Sequence, residues 1–338
     1  MQRRDLLQGL LATGVAAGAG CSRRHASGPP RQLEVAASRY LVMAPLYLAY
    51  ERGYFAQAGL ELAIRHFASA AQALPLLAAG KLDVSFSALS PALLNAVAKG
   101  STIRIVAGRE VASPVCGEVG VIYGRREAFP RGIEDLRHLR GKRLAAGAMA
   151  SVAGFLVDTL LAQAGLRETD LELLYMDRSN AVAALTAGKI DAMLSGLHPE
   201  KDLVATLPQL VRSTAVAQAL AGFQYSHILF GESLLKAEPA AGARFLAAYL
   251  RGVREYRAGA TPRFQEEYIR ENKLDPRAVQ VTCRETSTPD GSIDLGSLRR
   301  FLEWAIGKGY SQPGLRAEQL VDHRFLELAR RLDSPKRS

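Results

Sequence analysis

The sequence predicts an α/β protein of two similar lobes, each built in the order β-α-β-α-β, and three observations carry that prediction. One phrase occurs twice, as Ala78-Ala79-Gly80-Lys81-Leu82-Asp83 and Thr186-Ala187-Gly188-Lys189-Ile190-Asp191, each closing an Ala/Leu-rich run. Each copy leads into a short apolar run that ends in serine, at Ser87 and Ser195, and is preceded at a similar distance by the word Ala-Gly-Leu, at 58–60 and 164–166. The 338 residues exceed one comfortable core and suit two domains of ordinary size.

In each unit the pattern starts with a strand, at 33–37 and 143–146, followed by a helical run, at 45–57 and 152–163. An Ala/Leu-rich stretch stopped by glycine reads as a helix with its C′ cap, and the apolar run behind it reads as a buried strand. After the strand at 83–87, residues 91–99 predict a helix closed by Gly100, and 102–108 a strand. A short helix begins at Ile133, a strand is expected at 171–176, the next helix at Ala181, and a further strand at 210–212. Strands alternating with helices imply parallel sheets whose ligands sit beyond the carboxyl ends of the strands. The extended segments 117–124 and 222–231 find no partner inside the second unit. They are expected to be two crossings that carry the chain out to the second lobe and back, forming a hinge. The remaining C-terminal helices, broken at Pro262, Pro276 and Pro289-Asp290-Gly291, are expected to pack on the first lobe. The expected domains are therefore 32–118 with 226–338 as lobe 1, and 119–225 as lobe 2.

The N-terminus reads as an export signal. Arg3-Arg4 precedes a stretch of small apolar residues at 9–20 that ends at Cys21, too short to span a bilayer as a stable helix. The paired arginines resemble a twin-arginine signal and Gly18-Ala19-Gly20-Cys21 resembles a bacterial lipobox, although Gly18 stands where a large aliphatic residue is usual. Lipid attachment at Cys21 stands against plain cleavage or retention as an uncleaved anchor. Residues 22–31 then form a flexible tether, the protein works in the periplasm, and it meets the membrane only through this lipid or signal.

The net charge of +10 is spread over scattered Arg and Lys residues, with no basic stripe interleaved with aromatics, so nucleic acid is not an expected partner. Cys116 and Cys283 are a disulfide in an oxidising compartment or two separate thiols. The six histidines, at 25, 66, 138, 198, 227 and 323, form no HxxxH or HxH pair, and no metal or other cofactor is expected.

Assembled in order, Pro45-Leu46-Tyr47-Leu48-Ala49, Glu51-Arg52-Gly53-Tyr54-Phe55, Ala58-Gly59-Leu60, Gly80-Lys81-Leu82-Asp83-Val84, Leu139-Arg140-Gly141-Lys142-Arg143, Ala187-Gly188-Lys189-Ile190-Asp191-Ala192, Asp290-Gly291 and Leu320-Val321-Asp322 resemble the substrate-binding proteins of ABC importers. The family in question handles nitrate, taurine, alkanesulfonates and thiamine precursors. The resemblance implies a periplasmic binding protein type II fold, no cofactor, a monomer, and delivery of a small-molecule ligand to an ABC permease in the inner membrane. A small organic anion of sulfonate, taurine or nitrate type is the expected ligand. The alternatives are a thiamine pyrimidine precursor or another heteroaromatic, and a ligand sensor in place of a transport component.

Candidate ligand contacts lie after strands and at helix N-termini, where unpaired N–H groups and the positive dipole end favour anions. Ser69 and Ser151 precede helices and are equally suited to be simple N-caps. Tyr40 and Met43, in the loop after the first strand, are placed to stack on or cover a ligand. Ser87 and Ser195 offer hydroxyls at strand ends, Asp177 a carboxylate for a ligand amine, and His198 an imidazole after the strand that ends at Ser195. Arg109, Glu110 and Glu200 follow strands and stay ambiguous. There is no GxSxG, no Walker-type loop and no GxGxxG opening a helix. Fungal enzymes of the same family that make the thiamine pyrimidine carry a cysteine cluster in the region of the returning strand, whereas Gly222-Phe223-Gln224-Tyr225-Ser226-His227-Ile228 has none. The expectation is a binding protein and not an enzyme.

Overall fold

A computed structural model describes residues 29–67, 70–113, 120–195, 203–213, 215–274 and 284–333. Burial of the apolar runs produces two five-stranded sheets. The first, in the order β2-β1-β3-β10-β4, takes β1 (Arg31–Ala37), β2 (Leu60–His66), β3 (Val84–Ala88), β4 (Arg104–Val111) and β10 (Gln224–Phe230). The second, in the order β7-β6-β8-β5-β9, takes β5 (Val121–Arg125), β6 (Arg143–Ala146), β7 (Glu172–Tyr175), β8 (Ala192–Ser195) and β9 (Leu210–Ser213). The duplicated phrases yield matching parallel pairs, β1 with β2 and β3 in one sheet and β6 with β7 and β8 in the other. Gly80 and Gly188 hold the same left-handed turn, at φ 68° and 70°, which glycine adopts without a Cβ penalty.

Both segments expected to cross between lobes without partners are strands inside sheets. β5 pairs antiparallel with β8 and β9, and β10 pairs antiparallel with β3 and β4. All seven residues of β10 are buried, the polar Gln224, Ser226 and His227 with the apolar ones. A strand covered on both faces needs no alternation. Beside the ends of β4 and β10 the chain pairs with itself: Ala112 N donates to Phe223 O at 2.8 Å and Gly222 N to Ala112 O at 2.8 Å.

Helices cover the sheets. The run expected as one helix at 45–57 divides at Gly53, φ 70°, into α1 (Ala44–Glu51) and α2 (Tyr54–Gln57). α3 (Ala70–Ala78) and α4 (Pro91–Ala98) complete the first unit, and α5 (Val152–Gln163) and α6 (Arg178–Thr186) the second. The short α7 (Leu203–Thr206) and α8 (Ala215–Ala219) flank β9. α9 (Pro239–Arg257), α10 (Arg263–Glu271), α11 (Leu295–Gly307) and α12 (Arg324–Asp333) follow β10.

α9 and α12 close the core of the first sheet, where Phe230 packs edge-on against Phe245 and Phe325, with centroids at 6.0 and 5.1 Å. Such pairs add about 0.5–1.5 kcal/mol beyond their buried area. α11 departs from the expectation that the C-terminal helices serve the first lobe alone. Its Phe301 and Trp304, one turn apart, both meet Phe155 of α5 at 5.6 Å, and Phe155 also packs on Phe223 at 4.8 Å. One apolar core consequently runs from the strands and helices of the first sheet into those of the second. Cys116 and Cys283, and with them the disulfide question, lie outside the described residues.

Candidate functional site

The parallel strands of each sheet end in the loops where ligand contacts are expected, and the local folding of those loops decides what each side chain has left to offer. Ser151 caps α5: its Oγ accepts from Ala153 N at 3.1 Å and donates to Ala148 O at 2.5 Å. The helix of twelve residues behind it presents a polar N-terminus next to a half-buried serine.

α6 begins three residues before the expected start, because Asp177 is its N-cap. The carboxylate accepts from Asn180 N at 2.9 Å and from Asn180 Nδ2 at 2.6 Å. Asp177 thus stabilises the start of α6, and its exposed carboxylate keeps acceptor capacity for a further donor. Arg178, the next residue, donates to Ser195 Oγ at the end of β8. A cation therefore stands at the strand end where only a hydroxyl was foreseen.

After the first strand, Tyr40 is 38% exposed, and Met43, at 4%, belongs to the core that contains Leu46 and Leu33. Ser87 is also buried, its Oγ 2.8 Å from Ser85 Oγ, which satisfies the hydroxyl inside the sheet. Ser69, His198, Glu200 and the lipid-attachment candidate Cys21 lie outside the described residues.

The turn that carries Tyr40 rests on residues the sequence left ambiguous. Arg109 and Glu110 form a buried ion pair at 2.7 Å, and Arg109 Nη2 also donates to Val42 O at 3.1 Å. Burial raises the Glu110 carboxyl, against the lowering effect of Arg109 and of hydrogen bonds from Ser226 and Tyr225. Removing one partner of such a pair typically costs about 3–5 kcal/mol, because it leaves a buried charge uncompensated. Beside it, His227 Nε2 lies 3.2 Å from Gln224 Oε1 and its Nδ1 has no hydrogen-bond partner among the described residues. Burial, followed by the nearby Arg109, pushes this imidazole down to about 3, so it is neutral at ordinary pH. An adjacent Arg-Glu on a β-strand was the one available sequence signal for this support. What gave no signal was its pairing with β10, more than a hundred residues away.

Among the described residues no group of three or more His, Cys, Asp or Glu side chains is placed to hold a metal ion. No helix among them is long and apolar enough to cross a membrane.

Comparison with known proteins adds four findings. The family model described as "NMT1/THI5 like" matches residues 41–259. A curated protein of Aspergillus parasiticus, named 4-amino-5-hydroxymethyl-2-methylpyrimidine phosphate synthase, is 25% identical over 287 residues, 80% of this chain and 78% of its own. A Haemophilus influenzae protein named as a putative thiamine biosynthesis protein is 30% identical over 158 residues, 46% of each chain. Among solved structures, the periplasmic aliphatic sulphonate binding protein SsuA of Escherichia coli superposes with a TM-score of 0.69 at 17% identity, covering 89% of this chain and 99% of its own. That likeness establishes the periplasmic-binding-protein fold. The expectation that the chain is not an enzyme is overturned by the Aspergillus relative, which is named for a synthase. The missing cysteine cluster was too narrow a ground for that exclusion, since it tested one feature of one segment.

Proposed function

The chain belongs to the NMT1/THI5-like family, and from that premise we propose that it captures a small solute bearing an anionic oxygen group between its two lobes, outside the cytoplasmic membrane, and delivers it to an ABC permease. The observation that carries this reading is Arg178 held on Ser195 while Asp177 is committed to capping α6. A guanidinium at a strand end forms strong charge-assisted hydrogen bonds with sulfonate, carboxylate or phosphate oxygens. The N-terminus of α5 at Ser151 adds N–H donors and a favourable dipole. Tyr40 supplies an exposed ring, and Ser69 and His198 complete the proposed set. The proposed lobes are 32–118 with 226–338, and 119–225, except that Gln224 and Tyr225 lie in β10 and so go with the first sheet. The leader 1–21 exports the protein, with Cys21 as the proposed lipid attachment and the residues from 22 up to the start of β1 at Arg31 as tether.

A thiamine-pyrimidine ligand is the second reading, favoured by the names of the two curated relatives. A thermal-shift panel of alkanesulfonates, taurine, nitrate, 4-amino-5-hydroxymethyl-2-methylpyrimidine and its phosphate separates the two. A ligand at a hundred times its Kd stabilises by about 2.7 kcal/mol, a shift of several degrees. Anion binding that falls about ten- to hundredfold in Arg178→Gln supports the first reading. A shift confined to the neutral pyrimidine selects the second. Formation of the pyrimidine phosphate by the purified protein would class it with the Aspergillus relative, and undiminished anion binding in Arg178→Gln would remove the site.

A further inference from the structure

Away from the strand ends just described, the N-terminal edge of β1 and β2 opens into a basin of about 1800 Å³ that continues over α1, α2 and α9. Solute pockets usually measure about 300–1,000 Å³, so this basin is large for a single small molecule. Five arginines line it, Arg31, Arg52, Arg244, Arg251 and Arg263, against two carboxylates, Glu51 and Glu61.

The ion pairs within it do not use up this charge. Arg31 is matched by Glu238 at 2.7 Å and Asp83 at 3.5 Å. Arg52 and Arg251 share Glu255 at 3.7 and 3.8 Å. Glu51 is committed to the start of α10, accepting from Arg263 N at 2.7 Å and Phe264 N at 3.0 Å. Among the described residues neither the Arg244 nor the Arg263 guanidinium has an acidic partner, and the buried Arg244 Nε has no acceptor. A buried guanidinium N–H without a partner is costly, and an anion would satisfy it. Arg244 and Arg251 stand seven residues apart on α9, about 10 Å by helical rise, so the positive charge forms a row and not a point.

We propose that this basin seats the protein on the headgroups of anionic phospholipids. Three features favour a lipid surface over an acidic protein. Tyr50, 49% exposed, lies on the rim, and tyrosine is suited to the membrane interface. The rim also includes Pro29 and Pro30, where the chain arrives from Arg23-Arg24 and the apolar stretch 9–20, so any membrane-attached leader brings this face towards the bilayer. Long arginine side chains over an apolar floor of Leu48, Phe55 and Leu60 can extend their charge to phosphates. Docking here leaves the carboxyl ends of the strands clear. The inference rests on the extracytoplasmic, membrane-attached reading proposed above.

The test is co-sedimentation of the full chain with phosphatidylcholine vesicles, with and without 30 mol% phosphatidylglycerol, at physiological salt. Each basic residue near such a surface contributes about a fivefold gain. The double variant Arg244→Gln/Arg263→Gln is therefore expected to bind anionic vesicles about thirtyfold more weakly. A variant with the same charge loss at exposed positions outside the basin, Lys99→Gln/Lys189→Gln, is expected to stay within a few-fold of wild type. An unchanged thermal midpoint shows the basin variant to be folded; should it melt early, the single exposed change Arg263→Gln is expected to lose about fivefold. Equal losses in the two double variants overturn the proposal, because bulk charge then accounts for binding. Equal binding of wild type and basin variant to neutral and anionic vesicles overturns it while leaving the leader's membrane role intact. Loss of binding to a polyglutamate peptide without loss on vesicles assigns the basin to an acidic protein and overturns the lipid.

Discussion

At the scale of single residues, the aspartate that ends each duplicated phrase has the same job in both sheets. Asp83 accepts from Glu34 N of β1 at 2.8 Å, and Asp191 accepts from Arg143 N of β6 at 3.0 Å. Each ties the start of the third strand of its unit to the first. Asp191 does more, binding the Arg143 side chain at 2.9 and 3.1 Å and Arg125 at 3.0 Å. The Arg143 hydrogen bonds, and after them Arg125, hold its carboxyl well below the usual carboxylate range, against the raising effect of burial. Asp191→Asn leaves two guanidinium groups short of a partner and is expected to cost about 2 kcal/mol at neutral pH, read as a lower urea midpoint. Because the folded carboxyl titrates below its ordinary 3.8, its stabilisation is present above that pH and disappears as the pH falls further. The gap between wild type and variant should therefore narrow in acid, and a gap constant down to pH 2 would contradict the assignment. The sequence marked Gly80-Lys81-Leu82-Asp83 and its twin as helix ends, which they are. The aspartates' role was not legible, since it depends on strands some fifty residues upstream. Arg178 was missed for a related reason: its contact with Ser195 lies seventeen residues further along the chain.

Elements were legible where their period and caps are local. The helix-to-strand phrases, the helix at Val152–Gln163 and the strands β1, β6 and β8 follow the sequence pattern closely. The antiparallel strands β5 and β10 were legible as extended segments but not as sheet members, because an apolar run does not encode the direction of its neighbour. α11 illustrates the same limit for helices. Its amphipathic pattern predicts a buried face, yet only the packing reveals that this face is shared between two sheets. Trp304 Nε1 donates to Asp158 Oδ2 of α5 at 2.6 Å, and Lys308 Nζ lies 2.9 Å from Asp158 and 3.0 Å from Glu168. Together with the Phe155, Phe301 and Trp304 rings, these contacts brace α5 against α11. Asp158→Ala strands a Trp N–H and a lysine ammonium in a half-covered position and is expected to lower stability by about 2–3 kcal/mol. Asp158→Asn, which keeps an acceptor for the indole, should cost less. Equal denaturant midpoints for wild type and Asp158→Ala would mean that the brace carries no load.

For the whole molecule, the continuous core decides how the two sheets behave together. A hinge made of two free crossings would let the lobes unfold and move almost independently. Here Ala112 pairs with Gly222 and Phe223 at the crossings, and α11 adds a third connection through Phe155, one the domain reading of the sequence did not contain. Trp304 is the chain's one tryptophan, and it lies on that connection, so its fluorescence reports the junction while far-UV circular dichroism reports both sheets. If the shared core couples the lobes, the two signals should follow a single urea transition with one midpoint, despite a chain long enough for two domains. Loss of the Trp304 signal at lower urea than the circular dichroism would mean that the junction opens first and the lobes are separate cooperative units. The same probe bears on ligand capture, because the helix that begins at Ser151 is the one whose Phe155 and Asp158 meet Trp304. A solute held at the N-terminus of α5 pulls on this junction within two helical turns, so saturating ligand should change Trp304 emission in the wild type. In Asp158→Ala, where the brace between α5 and α11 keeps only its ring contacts, that change should shrink even where the ligand still binds.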